Sequence, residues 1–585
     1  MKRIGIFVCH CGTNIAGTVD VERVVEEIKK FPEVVYAVDY KYMCSDPGQA
    51  LIRDHIREDR LDSVIVAACS PAMHETTFRR TAESVGVNPY QTEMANIREQ
   101  SSWVHQQQRE AATNKAIETI HTIVAKAHYN QSLTPFYLPL VKRALVIGGG
   151  IAGMEASLDL ADAGYPVVLV EKTDHLGGRM AELSGLYLNF DAVPDLLQHR
   201  IDAVVRHPNI QVLTNAQVME VGGYVGNFVI EVEQQEAGSS GLGNTVPYTF
   251  DIGAIVVATG YDLYAKEHLG EYGGARYPDV IDGLQFEEML RPDGPTGGRI
   301  QRPSDGRMPK EVVWVQCAGS RDPELHLPYC SKVCCMYVAK QSMAYKQQVP
   351  DGQAIVFYID IRSQGKGYEE FVQQAMEDYD VLYLRGKASK VFQEPAVGGV
   401  ERNGRVTVWG VDTLTGLPLE VEADLVVLAT ATVPRADAHE LGQRLRIGTD
   451  EQGFFNEAHP KLRPVESLTA GVFLAGAAQF PKDIPETVAQ ASGAAAKVLR
   501  LFSQRQMVQE PTIAYVDPEI CSGCGLCIPS CPYDARVMHD WRHIAVVNTA
   551  LCQGCGACAM VCPNKACQVR NLTNRQILSM VEAYL

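Results

Sequence analysis

The sequence predicts an α/β fold in several domains, and three observations carry that prediction. Residues 142–172 read as strand, glycine-rich turn, helix and strand. The first 95 residues alternate short β-branched runs with well-marked helices. The tail beyond residue 510 carries eight cysteines in two matching runs. At 585 residues, 46% of them hydrophobic, the chain has room for three or four domains with full cores.

Composition narrows the function classes. A formal net charge of −17 repels phosphate backbones and anionic lipid headgroups, so neither nucleic acid nor a membrane surface is expected as a partner. No apolar run approaches the roughly 18 residues of a membrane span, so none is expected. Seventeen cysteines would suggest disulfides in a secreted protein, but their number is odd, their spacings suit metals, and no secretory signal opens the sequence. A reducing cytoplasm is the expected location.

In domain 1–95, strands at 4–8, 34–40 and 63–68 alternate with helices at 21–31, 47–59 and 71–85, a small parallel layer. Asp46-Pro47 and Ser70-Pro71 each supply an N-cap followed by proline. Cys9, Cys11, Cys44 and Cys69 all fall just past the carboxyl ends of strands, where ligands of open α/β sheets gather. They are read as a four-thiolate site for an iron-sulfur cluster or zinc, against scattered structural thiols. His10 is not read as a ligand. Residues 96–129 lack Gly and Pro and predict one helix within a connecting segment, 96–141, its polar face turned to solvent or a partner.

The centre reads as a dinucleotide site. In 142–309, Gly148 makes the turn after the first strand, Gly150 admits a pyrophosphate, Gly153 lets helix and strand pack, and Glu171 ends the second strand, placed for a ribose diol. Later strands end in Ala258-Thr259-Gly260 and in Phe473-Leu474-Ala475-Gly476. With Gly177-Gly178-Arg179 after Glu171 and Lys172, these resemble the signatures of two-dinucleotide-binding flavoproteins such as thioredoxin reductase. That resemblance implies a thioredoxin-reductase-like FAD core with contacts at Gly148, Gly150, Gly153, Glu171, Lys172, Gly178, Arg179, Ala258, Thr259, Gly260 and Gly476. It also implies an aspartate near the ribityl chain, where this sequence has Gly476-Ala477-Ala478. The helix at 485–499 offers N-terminal amides as a further contact.

Residues 310–430 occupy the place of a nicotinamide domain, between the two parts of the FAD domain, 142–309 and 431–509. The glycine fingerprint is missing: after the strand at 311–316 the turn reads Cys317-Ala318-Gly319-Ser320-Arg321. Cys330, Cys334 and Cys335 follow, with Cys330 and Cys334 expected on one face of a helix. These four thiols suit one further cluster, against buried structural cysteines or a redox disulfide. Adjacent Cys334 and Cys335 do not form the CxxC of the disulfide reading.

In domain 510–585, Cys521, Cys524, Cys527 and Cys531-Pro532, then Cys552, Cys555, Cys558 and Cys562-Pro563, repeat the spacing of bacterial two-cluster ferredoxins. The fourth cysteine of each run crosses to the other cluster, so the expected sets are Cys521, Cys524, Cys527, Cys562 and Cys552, Cys555, Cys558, Cys531. Zinc is disfavoured because a third cysteine and a trailing CysPro do not serve a tetrahedral ion. Cys567 is read as a plain buried thiol. The loops at 238–244 and 293–307 are assigned no role.

Together, the CHCG opening with Cys44 and Cys69, the Cx12Cx3CC core and the ferredoxin tail resemble the heterodisulfide reductase A-subunit family over nearly the whole chain. The resemblance implies FAD, several 4Fe-4S clusters and a flavin that bifurcates electron pairs. It implies partners too: disulfide-reducing and iron-sulfur subunits of one complex, a hydrogenase, formate-linked or NADH-linked donor module, ferredoxin, and a homodimer inside that complex. No general acid or nucleophile is implied. The chain lacks the second ferredoxin module of longer archaeal members; residues 222–250 hold no cysteine. The paired-cysteine motifs of the disulfide-reducing partner are missing as well. Two other readings stay open, an NAD(P)H:ferredoxin oxidoreductase and an electron wire without bifurcation.

Overall fold

The computed structural model describes residues 2–236, 245–393 and 404–585. The loop expected at 238–244 lies outside the described residues. The chain divides into two compact units, one formed by 2–138 with 506–585 and the other by 139–505.

The first unit is built on four parallel strands, β1 (Ile4–Cys9), β2 (Val34–Tyr40), β3 (Ser63–Ala68) and β4 (Thr92–Asn96), in the order β2-β1-β3-β4. Strand alternation sorts the two faces. Ile4, Ile6 and Val8 pack with α1 (Val21–Ile28), whereas Phe7 and Cys9 pack with α2 (Asp46–Glu58) and α3 (Pro71–Glu83). Ser45, rather than Asp46, caps α2, accepting from the Gly48 amide; Pro47 and Pro71 stand in the first turns.

The single helix expected over 96–129 is corrected here. Residues 92–96 complete the sheet as β4, residues 98–102 form a π turn, and the helix α4 begins only at Arg109, running to His128. Nor is it an exposed connector. Ala112, Ala116, Ile120 and Val124 recur every four residues and bury against α1 and the sheet. A second side meets the C-terminal helix Asn574–Tyr584, where Ser579 Oγ donates to the Ala125 carbonyl and Gln576 Nε2 donates to Asn130. The cysteine-rich tail thus shares one compact unit with the N-terminal sheet, joined also by pairing of Phe136–Leu138 with Met507–Gln509.

The second unit contains the same architecture twice. One half has a five-stranded parallel sheet, whose neighbours in order are Val472–Leu474, Ala254–Val257, Ala144–Ile147, Val167–Val170 and Ile210–Leu213, with a three-stranded antiparallel sheet from residues 216–252. The other half has Val280–Asp282, Leu425–Thr430, Glu311–Ala318, Gln353–Tyr358 and Leu382–Arg385 in parallel, with an antiparallel three-stranded sheet from residues 388–423. Short strands Tyr261–Leu263 and Thr432–Pro434 pair where the chain crosses between halves. The loop at 293–307 is fastened by Arg302, which donates to the buried Asp279 carboxylate at 2.8 Å. Among the described residues no helix is long and apolar enough to cross a membrane.

Candidate functional site

Strand ends of the first half surround a cavity of about 500 Å³. Gly148, Gly150, Glu171, Lys172, Gly178, Arg179, Ala258, Thr259 and Gly260 line it. Gly153 and Gly476 do not reach its wall; Ala477 does. The three glycines of the turn divide their work as steric considerations require. A Cβ on Gly148, which sits at φ +108°, would lie 2.4 Å from the Ala258 carbonyl oxygen, and one on Gly153 would lie 1.8 Å from that of Gly148. A Cβ on Gly150 would meet only Gly178 Cα, at 3.9 Å, leaving the backbone open to an approaching ligand.

Glu171 is held at the end of its strand by the Gly149 amide at 2.6 Å and the Thr173 amide at 2.8 Å. Lys172 pairs with Asp437 at 2.6 Å, and Arg179 pairs with Glu182 and Asp262. Thr259 Oγ1 is buried on this wall without a protein partner, a polar group that a bound ligand would satisfy. Asp483 also lines the cavity. It caps the helix Ile484–Phe502 and accepts from the hydroxyls of Tyr187 and Tyr368 at 2.9 and 2.6 Å. It brings a carboxylate to the cavity that Ala477 also lines.

Sequence reasoning missed the polar network on the far wall. Lys340 and Glu287, 5% and 3% exposed, pair at 2.7 Å, and Gln341 and Ser184 donate to the same carboxylate. Burial pushes the Glu287 carboxyl up, but the Lys340 ammonium and the added donors prevail and hold it below the ordinary range. No local motif announces these residues, because Glu287 comes from one helix of the second half, Lys340 and Gln341 from another, and Ser184 from the loop after residues 178–182 of the first.

Four thiols gather in that second half. Cys317 stands next to the end of the strand Glu311–Ala318, where a phosphate-binding turn would stand in a nicotinamide domain. Cys334 and Cys335 open the helix Cys334–Gln348. The expectation that Cys330 shares this helix is corrected: it lies in the preceding turn, where Lys332 takes φ +66° and its amide donates to Cys330 Sγ at 3.3 Å. A hydrogen bond from Cys334 and the neighbouring Arg321 overcome burial and bring Cys317 down to about 7. Cys335 Sγ contacts Gln316 Oε1 at 3.3 Å and accepts from the Arg362 amide at 3.4 Å. Gln316 Nε2 beside it is a buried donor without a partner.

The N-terminal sheet edge brings Cys9, Cys11, Cys44 and Cys69 into one apolar cluster. Cys9 Sγ accepts from the amides of Cys11 and Met43 at 3.3 and 3.4 Å, and Arg98 Nη1 reaches Cys11 Sγ at 3.5 Å. Burial pushes Cys69 up to about 11 against the pull of Arg98, as Cys11 and Cys9 also raise it. His10 turns away to pair with Asp39 at 2.7 Å. In the tail, Cys531, Cys552, Cys555 and Cys558 line one small cavity, and the Cys567 amide lies 3.5 Å from Cys562 Sγ. Among the described residues no three Cys, His, Asp or Glu side chains converge as a single ion would need.

Residues 142–288 match the family model of pyridine nucleotide-disulphide oxidoreductases, and residues 513–563 match that of the 4Fe-4S dicluster domain. A thioredoxin reductase structure from T. acidophilum covers 62% of this chain at 17% identity with a TM-score of 0.40, itself covered to 99%. An iron-sulfur subunit of CoB--CoM heterodisulfide reductase from Methanopyrus kandleri is 40% identical, covering 100% of this chain and 98% of its own length. The corresponding subunit of the H(2):CoB-CoM heterodisulfide,ferredoxin reductase of Methanothermobacter marburgensis is 40% identical over 91% of this chain and 90% of itself. With likeness of this depth along its full length, the chain belongs to the heterodisulfide reductase A-subunit family and is an oxidoreductase subunit carrying flavin and iron-sulfur chemistry.

Proposed function

We propose that this chain is the FAD- and iron-sulfur-carrying electron-transfer subunit of a cytoplasmic heterodisulfide-reductase-like complex, and that its flavin splits electron pairs between ferredoxin and a disulfide-reducing partner. The observation that carries the reading is the pairing, within one compact unit, of a dinucleotide cavity with four thiols where a nicotinamide turn would stand. Bound FAD would supply the exchange between two-electron and one-electron transfer. Gly150 leaves room for its pyrophosphate, Glu171 and Asp483 offer carboxylates to its hydroxyls, and Thr259 Oγ1 offers an unused hydrogen-bonding atom.

The sixteen cysteines of the four groups are read as ligands of four clusters. The doubled ferredoxin spacing and the match of residues 513–563 to the 4Fe-4S dicluster domain support cubes over a lone zinc in the tail. Relatives whose names include hydrogen or formate support a hydrogen- or formate-linked donor module. The disulfide chemistry is assigned to a partner in the complex. A homodimer within the complex belongs to the same proposal.

Anaerobically isolated protein should hold roughly 16 irons per FAD, and Cys334→Ser should lower that to roughly 12 while keeping the flavin. A colourless, zinc-loaded chain would overturn the assignment. Rapid bleaching by NADH alone would favour the NAD(P)H:ferredoxin reading, and a flavin titrating in two resolved one-electron steps would favour the plain wire. Lys482 provides a pH test. Burial and the Lys332 ammonium push this cavity-lining lysine down to about 8, against Glu486 and Glu457. Uptake of the anionic cofactor by apoprotein should weaken as pH rises through 8, because the wall then loses a cation; Lys482→Met should flatten the profile. Flavin fluorescence titrated from pH 7 to 9 reads the difference.

A further inference from the structure

The two cysteine runs of the tail repeat at an offset of 31 residues, which sets Cys521 against Cys552 and Cys531 against Cys562. The repeat extends past the prolines. Ala535 answers to Ala566, both 1% exposed, and the next residue of each begins a short strand. There the symmetry breaks: one copy has Arg536 and the other has Cys567, 3% and 1% exposed.

Arg536 is a buried cation facing sulfur. Its Nη2 lies 2.7 Å from Cys558 Sγ, its Nη1 is buried without a hydrogen-bond partner, and it lines the cavity shared by Cys531, Cys552, Cys555 and Cys558. Among the described residues no carboxylate pairs with it. The arginines at the other thiol groups differ, since Arg98 pairs with Glu99 at 2.6 Å and Arg321 with Asp360 at 2.5 Å. Each twin set has an exposed cysteine, Cys524 or Cys555, and a deeply buried one, Cys527 or Cys558, but Cys552 is buried where its counterpart Cys521 is half-buried. Charge separates them further, because Arg536 hydrogen-bonds Cys558 of one set.

We propose that Arg536 sets the order of potentials within the tail, holding the cluster of Cys531, Cys552, Cys555 and Cys558 above its twin of Cys521, Cys524, Cys527 and Cys562. The inference rests on the cluster assignment under Proposed function. Reduction adds one electron and makes the cluster with its four thiolates one unit more negative. An unneutralised guanidinium in a low-dielectric core favours that state, through the charge and hydrogen bonding to sulfur that tune such centres. The twin receives less: Arg536 reaches its Cys527 through charge without a hydrogen bond, and Cys567, in the equivalent position, gives Cys527 and Cys562 hydrogen bonds but no cation. An electron delivered by the other twin, or by the flavin unit, therefore comes to rest beside Arg536 and leaves to the acceptor from there.

The test is an EPR-monitored reductive titration of the full chain, after iron counting, in the wild type, Arg536→Gln and Arg536→Lys. In Arg536→Gln the reduced-to-oxidised ratio of one cluster at fixed potential should fall at least tenfold, about 59 mV for one electron. The other clusters should hold still, and Arg536→Lys should keep most of the wild-type value. Unchanged potentials in an iron-replete Arg536→Gln protein would overturn the inference and leave the cluster assignment standing; a tail without iron would sink both. Should Arg536→Gln lose its iron, the unmodified protein decides. Two resolved steps, the higher one altered by Cys555→Ser, support the proposal, whereas coincident titration, or a change confined to the lower step, refutes it.

Discussion

Valine at position 153 should empty the flavin cavity. The first Cβ alone would fall 1.8 Å from the Gly148 carbonyl oxygen and 3.0 Å from its carbon, closer than real contacts allow. Gly148 is held in place, because its amide donates to the Val170 carbonyl at 2.8 Å. The strain therefore displaces the helix Ile151–Asp162 from the strand it follows, and with it the amides that face the cavity. Flavin per chain should fall below about a tenth of the wild-type value, an affinity loss of more than about 1.4 kcal/mol. Gly493→Ala is the control. Its Cβ would meet only Val465 at an ordinary 3.7 Å, so flavin should stay bound and the helix should gain about 0.5–1 kcal/mol. Absorbance near 450 nm against protein, with thermal unfolding, reads both variants.

Lys340→Met should produce the largest loss of stability. The substitution removes the cation from a carboxylate that is 3% exposed, and breaking a buried pair from one side costs about 3–5 kcal/mol. Glu287→Gln together with Lys340→Met removes both charges, and most of the loss should return, which a double-mutant cycle measures. The pH dependence has a definite sign. In the wild type Glu287 titrates below its unfolded value, so its contribution is present above the unfolded carboxylate range and is lost as pH falls through the folded value. Without Lys340, burial is opposed only by the neutral donors Ser184 and Gln341, and the group should rise. The deficit of the single variant should then be greatest near neutrality and shrink on acidification, as the stranded carboxylate takes up a proton. A deficit independent of pH would show that lost packing, not stranded charge, is responsible.

The readable parts of this protein are those whose chemistry lies among chain neighbours. The glycine turn at Gly148–Gly153 is legible because Gly153 answers a contact within its own strand-turn-helix unit and Gly148 one with the strand end beside it, while Gly150 keeps the backbone open. The paired cysteine runs of the tail are legible because three thiols on one loop already limit what they can hold. The segment at 92–108 is harder to read. Thr92–Asn96 is a strand only because the edge of β3 is there to receive it, and neither Gly nor Pro marks its end. Cys330 reads as helical because nothing at Lys332 signals a left-handed turn; no glycine stands there.

Spacing along the chain thus determined a dinucleotide cradle and a cysteine-rich redox tail. Tertiary structure alone decided which charges face them. Glu287 and Lys340 meet across 53 residues, Asp483 reaches the cavity from a helix cap, and Arg536 meets Cys558 only because two halves of a repeat fold against each other. The physical reason is range. Backbone turns and thiol spacing are set by local stereochemistry, whereas a buried charge depends on which distant segment removes it from water and which partner it meets there.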